Sequence, residues 1–259
     1  MSKVVRHIIN GISAALLIGC LTAAHMSGVA YRKSLDCKGI KVEITDSLTN
    51  RFVSEKDILK YIDKEYGTCV GKPLDSIDLV KIERIIDGRS AVNKSQAFTT
   101  GDGMLNIKVT QRTPIVRFQK KEGGFYADSE GYLFPLQNSY SSRVQVIDGD
   151  IPLKADSGYK GQIEDPEERE WLQAVLTLVN FMENSRLWKD KIVQINVCDG
   201  GELILIPRKG NERFHFGQPT DIEDKFRKLE LYYSCIIPEK GQDKYKEVSL
   251  EYDGQIVCK

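Results

Sequence analysis

Gly39-Ile-Lys-Val-Glu-Ile-Thr45 alternates apolar and polar residues, which is the pattern of a β-strand with one buried face. A helix signal follows closely, because Ser54 is a natural N-cap and Asp57 stands three positions later, as in a capping box. Gly67 can end that helix in the left-handed conformation. The stretch therefore predicts a strand and then a helix that turns one apolar face inward. That face consists of Ile58, Tyr61, Ile62 and Tyr66.

A second helix and two more strands complete this first unit. Apolar residues recur at helical spacing before Gly88, and two strand-like segments, 95–100 and 104–111, follow around a glycine-rich turn. The predicted order is β-α-α-β-β, and Arg112-Thr-Pro114 marks its end. The inner face of the second helix is predicted to consist of Leu79, Ile82, Ile85 and Ile86.

The rest of the chain predicts a mixed, mainly antiparallel β region with helices, so the fold class is α+β. One long helix begins near Asp165-Pro166, and the last helix runs from Asp221 to about Ile237. Asp199-Gly200-Gly201 is a hairpin signal. Strands are predicted at residues 114–118, 124–128, 131–135, 144–147, 191–197, 202–206 and 213–217.

The tail reads Lys246-Glu-Val-Ser-Leu-Glu-Tyr-Asp-Gly-Gln-Ile-Val-Cys-Lys259 and is strand-like. It predicts a terminal strand, although Asp253-Gly254 could instead form a hairpin of its own. A terminal strand at a sheet edge can recruit a partner strand through unpaired backbone groups.

Composition indicates about two soluble domains for 259 residues. Acids and bases interleave and the formal net charge is zero, so the basic face typical of a nucleic-acid-binding protein is missing.

The segment from Ile8 to Tyr31 contains no charged residue and is long enough to span a bilayer. We predict a transmembrane helix over residues 8–31, with residues 1–7 in the cytoplasm and the long C-terminal part outside it. The apolar run is too long for a cleaved signal peptide. Leu17-Ile-Gly-Cys20 resembles a lipobox, so a lipoprotein acylated at Cys20 is the alternative.

Catalytic patterns are weak. His215 is the one histidine after the apolar segment, and its alternation with two phenylalanines favours a structural role. An acidic cluster from Glu164 to Glu170 could suit glycoside hydrolysis, but acids at a helix start are explained by the helix dipole. No phosphate-binding loop, dinucleotide motif or zinc spacing occurs. We therefore expect no enzyme activity, no cofactor and no metal.

Five cysteines follow the apolar segment. Cys37 precedes the first strand and Cys69 follows the first helix, so a disulfide between them is possible. Cys198, Cys235 and Cys258 are at least as well explained as small buried residues.

The order of elements resembles the bacterial cell-division family FtsQ, also called DivIB, over almost the whole chain. The chain departs from the family pattern in two places: Gln111 replaces the usual acid before Arg-x-Pro, and Ser249 and Glu251 replace the terminal Asp-x-Arg pattern. The segments that carry the resemblance are residues 39–44 with 52–58, 74–79, 107–114, 125–131, 216–217 with 225–229, and 247–253.

This resemblance implies a short cytoplasmic start, one transmembrane helix, a linker over residues 32–38, a POTRA domain over 39–113 and a β domain over 114–259. It implies a non-enzymatic scaffold at the division septum, in the bacterial inner membrane, that binds FtsB- and FtsL-like proteins and helps control septal peptidoglycan synthesis. It also favours one terminal strand in the tail. The expected partner-binding residues are Leu250, Tyr252, Asp253, Gly254, Gln255 and Ile256.

Two other classes remain open. A POTRA-bearing envelope assembly factor is the first, although such proteins normally carry several POTRA units and one is counted here. A cell-wall hydrolase is the second. Incubating the purified soluble part with cell-wall material would separate a hydrolase from a scaffold.

Overall fold

The computed structural model describes residues 3–33, 35–47, 49–137 and 140–259. The chain divides into two compact units, of which the first comprises residues 1–49 and 53–111 and the second residues 50–52 and 112–259. Met1 and Ser2 of the predicted N-terminal segment and Ser34 of the predicted linker lie outside the described residues.

The chain starts with helix α1, Lys3–Lys33, which includes the uncharged segment. The large side chains described along its middle are exposed, from 58% at Ile12 to 71% at Met26. Among the described parts of the chain, no helix combines the length and the apolar character that a membrane span requires.

The first unit has the predicted βααββ order. Strand β1 is Gly39–Ile44, helix α2 is Glu55–Glu65 and helix α3 is Leu79–Asp87. Strands β2, Val92–Thr99, and β3, Met104–Gln111, follow. Strand β3 is central, because it pairs parallel with β1 and antiparallel with β2.

The predicted capping box at the start of α2 is confirmed. The backbone N–H of Asp57 donates to Ser54 Oγ at 3.3 Å, and the N–H of Ser54 donates to Asp57 Oδ2 at 2.9 Å. The Ser54 hydroxyl donates to Asp57 Oδ2 at 2.6 Å, and this hydrogen bond, followed by the one from the Ser54 N–H, holds the pKa of the Asp57 carboxyl below its usual value. The capping box thus gives side-chain acceptors to the N–H groups of Ser54 and Asp57, which fixes where α2 begins.

One layer of side chains joins the two helices to the sheet. Ile58 and Ile62 of α2 and Ile82 and Ile86 of α3 are fully or almost fully buried, as predicted. They pack in one apolar cluster with residues of all three strands, including Val42, Leu105, Ile107, Val109, Val92 and Ala97.

Cys37 and Cys69 lie in adjacent segments of this unit. The N–H of Cys37 donates to Lys72 O, and its C=O accepts from Gly71 N, both at 2.8 Å. Both side chains are buried thiols. Burial, and next the neighbouring Cys37, raises the pKa of the Cys69 thiol. The disulfide between them stays a prediction.

The described part of the second unit contains one sheet of ten strands with helices. Its order is β13-β12-β11-β10-β9-β7-β4-β5-β6-β8. The pairs β4–β7, β7–β9 and β11–β12 are parallel and the other six are antiparallel, which confirms a mixed, mainly antiparallel sheet. The strands are β4 Pro114–Lys120, β5 Gly123–Asp128, β6 Tyr132–Pro135, β7 Gln145–Gly149, β8 Gly161–Gln162, β9 Ile192–Val197, β10 Leu203–Pro207, β11 Arg213–Gly217, β12 Glu247–Ser249 and β13 Val257–Cys258.

Two longer helices pack against this sheet. Helix α4, Pro166–Asn184, has Asp165 as its N-cap, as predicted. Helix α5, Ile222–Leu231, continues through a π-helical segment, Tyr232–Ile236, into the short helix α6, Ile237–Lys240. The predicted single helix from Asp221 to Ile237 is therefore interrupted near its end by a wider turn. The core between helices and sheet includes Leu172, Val175, Val179, Phe226, Leu229, Phe214, Phe216, Val248 and Leu250.

Truncation of the buried isoleucines tests the packing of the first unit. Ile58→Ala or Ile82→Ala removes a fully buried side chain and leaves a cavity, so the free energy of unfolding should fall by about 2–5 kcal/mol. Urea unfolding followed by circular dichroism measures the change. Leu59→Ala and Val80→Ala are matched controls on the exposed sides of the same helices and should cost far less. Equal effects of the buried and exposed substitutions would show that the helix faces are misassigned.

Candidate partner-binding surface

The last strands form one edge of the ten-stranded sheet. Strand β12 pairs parallel with β11, and β13 turns back to pair antiparallel with β12. Backbone hydrogen bonds continue beyond the strands, because Lys259 N donates to Glu247 O and Lys246 N donates to Lys259 O, both at 2.8 Å. The tail is therefore a hairpin and not the single terminal strand that the resemblance favours. Positive φ at Gly254 (64°) helps the chain reverse its direction there.

Alternation along β11 and β12 separates a core face from an open face. Phe214, Phe216 and Val248 are buried in the core, whereas Arg213, His215, Glu247 and Ser249 lie on the opposite face. His215 Nε2 and Glu247 Oε2 are 2.5 Å apart across the two strands. This contact gives His215 a structural partner on the open face.

The predicted partner-binding residues fall into three groups according to their exposure. Tyr252, Asp253, Gly254 and Gln255 are exposed in the turn of the hairpin, and Tyr252 is 52% exposed although its ring is large and apolar. Ile256 is half-buried and packs against the core. Leu250 differs from the others. The side chain of Leu250 is fully buried, so only the backbone of this residue can contribute to the predicted binding site.

The buried ammonium of Lys228 forms hydrogen bonds with the backbone of this turn. Lys228 Nζ donates to Tyr252 O at 2.9 Å and to Leu250 O at 3.3 Å, and it also pairs with Asp224 Oδ2 at 2.9 Å. All three N–H donors of the ammonium are thus used, and the side chain is 9% exposed. The hydrogen bond from Lys228 lowers the pKa of the Asp224 carboxyl. We refer to these contacts of Lys228 with Asp224, Leu250 and Tyr252 as the lysine clamp.

A second buried lysine fixes the end of β11. Lys225 Nζ donates to Gln218 O at 2.7 Å and lies 4.7 Å from the centre of the Phe216 ring. Burial lowers the pKa of the Lys225 ammonium. Gly217 has φ 69°, and a Cβ there would lie 2.8 Å from Glu251 Cγ, so any other residue would be strained and would have to displace the Glu251 side chain. Glycine at 217 therefore allows the tail to pass close to β11.

A groove of about 390 Å³ lies on the open face beside the turn. It is lined by Arg213, His215, Glu251 and Tyr252, among others, and also by Lys259. Glu247 is occupied by His215, and Glu251 Oε2 accepts from Ser249 Oγ at 2.8 Å. Within the described residues, Arg213 and Lys259 form no ion pair. The groove can therefore receive a polar or acidic side chain next to the exposed ring of Tyr252.

The acidic cluster before and within α4 has structural roles. Asp165 Oδ1 accepts hydrogen bonds from the N–H groups of Glu167 and Glu168. The hydrogen bond from the Glu168 N–H lowers the pKa of the Asp165 carboxyl. Glu168 is buried and accepts from Lys154 N at 2.8 Å. These contacts give Asp165 and Glu168 structural roles at the start of α4. In the described parts of the chain, no three His, Cys, Asp or Glu residues are grouped as a metal site would need.

Sequence reasoning missed the lysine clamp. A lysine on a helix is expected to be exposed, and hydrogen bonds to backbone carbonyls leave no trace in composition. The available signal was the spacing of Lys225 and Lys228, three apart on α5 and therefore on one side of the helix with the buried Phe226 and Leu229.

Family models match both units. The model described as "FtsQ/DivIB, C-terminal related" matches residues 113–259, which is more than half of the chain. A second model, of a POTRA-like domain, matches residues 35–110. Comparison with curated proteins finds no match. With a POTRA-like domain ahead of a β domain whose last strands form its edge, the chain belongs to the FtsQ/DivIB family.

Proposed function

We propose that the chain is a non-enzymatic scaffold of the bacterial cell-division machinery. In this role it binds FtsB- and FtsL-like division proteins and helps to control septal peptidoglycan synthesis. Membership of the FtsQ/DivIB family supports the scaffold role. The observation that carries the proposed binding site is the exposed turn around Tyr252, which is held by the buried Lys228.

The hairpin turn suits a protein partner better than a small molecule. Tyr252 offers a rigid ring with a hydroxyl, and aromatic residues of this kind dominate protein interfaces. The adjacent groove adds polar and charged groups around that ring. Because the lysine clamp orders the turn before binding, the partner meets a preformed surface and loses less conformational entropy.

We also propose a single-pass anchor in the inner membrane, with both soluble units outside the cytoplasm at the division septum. The support is the uncharged segment from Ile8 to Tyr31, together with the exposed apolar side chains along the middle of α1. A long domain that follows such a segment can be exported whatever the flanking charges.

Replacement of Tyr252 tests the binding site. Tyr252→Ala should weaken binding of an FtsB-like partner by about 2 kcal/mol or more, because hot-spot aromatics contribute on that scale. The thermal unfolding midpoint should be nearly unchanged, because the ring is half exposed. Leu231→Ala, at an exposed position on α5, is the matched control and should leave binding intact. Unchanged affinity of Tyr252→Ala, or loss of the folded domain, would remove Tyr252 from the proposed site.

The lysine clamp gives a second test. Lys228→Met keeps most of the apolar side chain but removes the ammonium that donates to the carbonyls of Leu250 and Tyr252, so stability should fall by about 1–3 kcal/mol. Amide hydrogen exchange in residues 250–256 should accelerate more than exchange in the core, and partner affinity should fall with it. Arg227→Met removes an exposed cation from the same helix and is the control. Equal protection of the tail in both variants would show that the clamp does not order the turn.

Native Cys235 tests the topology, because it is exposed in the second unit. In spheroplasts, a membrane-impermeant maleimide should label Cys235, and Cys235→Ser should remove that signal. Labelling of Cys235 only after lysis would place the unit in the cytoplasm. A mature N-terminus at Cys20, found by mass spectrometry, would support the lipoprotein alternative instead.

A further inference from the structure

The two edge strands of the sheet in the first unit differ in whether their outward-facing backbone groups are hydrogen-bonded. At the β2 edge, the N–H of Ser95 donates to Asp87 Oδ1 and the N–H of Ala97 donates to Glu83 Oε1, both at 2.7 Å. Both carboxylates come from α3, so they occupy outward-facing donors of this strand. Such a capped edge cannot accept another strand without losing these hydrogen bonds.

At the opposite edge, the β1 strand of residues 39–44 pairs only with β3 among the described strands, and residues 35–37 before it pair with residues 71–74. Thr45 N donates to Val109 O at 3.0 Å and continues the ladder. Successive residues of a strand direct their backbone N–H and C=O groups to opposite edges. The backbone groups of Lys41 and Glu43 therefore point towards β3, as those of Thr45 do. Ile40, Val42 and Ile44 therefore turn their N–H and C=O groups outward. Within residues 35–47 and 53–111 of the first unit, no side chain or backbone group forms a hydrogen bond with them.

The sequence of β1 is complementary to itself in the antiparallel direction. If two copies meet with Val42 opposite Val42, then Ile40 lies opposite Ile44 and Lys41 lies opposite Glu43. The three outward-facing residues of each copy then form hydrogen-bonded pairs, which gives six inter-strand hydrogen bonds by the antiparallel rule. Lys41 and Glu43 fall at the non-hydrogen-bonded positions, where side chains of opposite strands are closest.

Charge and burial agree with this register. Lys41 and Glu43 are exposed, and neither forms an ion pair in the described part of the chain. Val42 is buried on the helix side, and Ile40 and Ile44 are half-buried against the same core. Pairing would thus place two opposite-charge contacts on the open face and continuous aliphatic residues on the helix face.

We propose that the β1 edge binds a second copy of this chain, through an antiparallel β1–β1 contact centred on Val42. The contact is isologous, with the same residues on both copies, and it joins two three-stranded sheets into one of six strands. This surface lies in the POTRA-like unit, so the inference does not depend on the role of the tail.

Charge exchange tests the proposal on the full chain in detergent micelles, with sedimentation equilibrium as the readout. Wild type should dimerise reversibly. Lys41→Glu and Glu43→Lys each turn two attractive pairs into two repulsive ones, so each should raise the dimer dissociation constant by about tenfold or more. The double variant K41E/E43K restores opposite charges across the contact and should return the constant to about the wild-type value.

Lys94→Glu is the matched control, because Lys94 is an exposed cation on the capped strand β2. It should leave the dimer unchanged. Glu43 faces Lys108 within the unit, so thermal unfolding of Glu43→Lys must be compared with that of Lys41→Glu, which faces Asn106. A folded variant that loses the dimer, with rescue by the double exchange, supports the contact.

Cross-linking checks the register. A mixture of Lys41→Cys and Glu43→Cys chains should form a disulfide-linked dimer under mild oxidation faster than either variant alone and faster than wild type with its native thiols. A wild-type chain that stays monomeric at all concentrations would overturn the proposal. A dimer that ignores both charge reversals, or that cross-links equally in every variant, would overturn it too.

Discussion

Burial of alternate side chains along β11 and β12 is the constraint on which the second unit depends. Phe214, Phe216, Val248 and Leu250 must all point into the core beneath α5. Because strand residues alternate, this requirement also decides which residues face outward. A shift of one residue in β12 would expose Val248 and bury Glu247. Hydrophobic burial in the core thus sets the position of each polar group on the open face.

Two buried lysines hold the backbone next to these strands in an ordered conformation. Lys225 and Lys228 lose most of their hydration, which is costly for an ammonium. Backbone carbonyls of Gln218, Leu250 and Tyr252 replace that water, and Asp224 supplies a counter-charge for Lys228. These carbonyls lie in irregular chain outside the ladder, so the regular hydrogen bonds of the sheet do not fix their positions. The lysines therefore stabilise non-repetitive structure that hydrophobic burial alone would leave undetermined.

The sequence predicted those features that depend on local patterns. The capping box of Ser54 and Asp57, the inward faces of α2 and α3 and the βααββ order follow from periodicity and turn chemistry, and they are found except that Ile85 of α3 lies outside the buried cluster. The tail could not be resolved in the same way. A single strand and a hairpin bury the same Val248, and they differ in the conformation near Gly254 and in the contacts of Lys228. The widened turn after α5 likewise follows from tertiary packing around Tyr232.

The strand order of the larger sheet has a consequence for how it is assembled. Strand β4 has β5, β6 and β8 on one side and β7, β9, β10, β11, β12 and β13 on the other, each placed outside the one before it in sequence. Among the described strands, no later strand has to be inserted between two that are already paired, so the sheet can grow outward as the chain is synthesised. Strands that are synthesised early therefore lie in the middle of the sheet, and those synthesised late lie at its edges. Substitutions in the edge strands therefore need not disturb the strand pairings at the centre of the sheet.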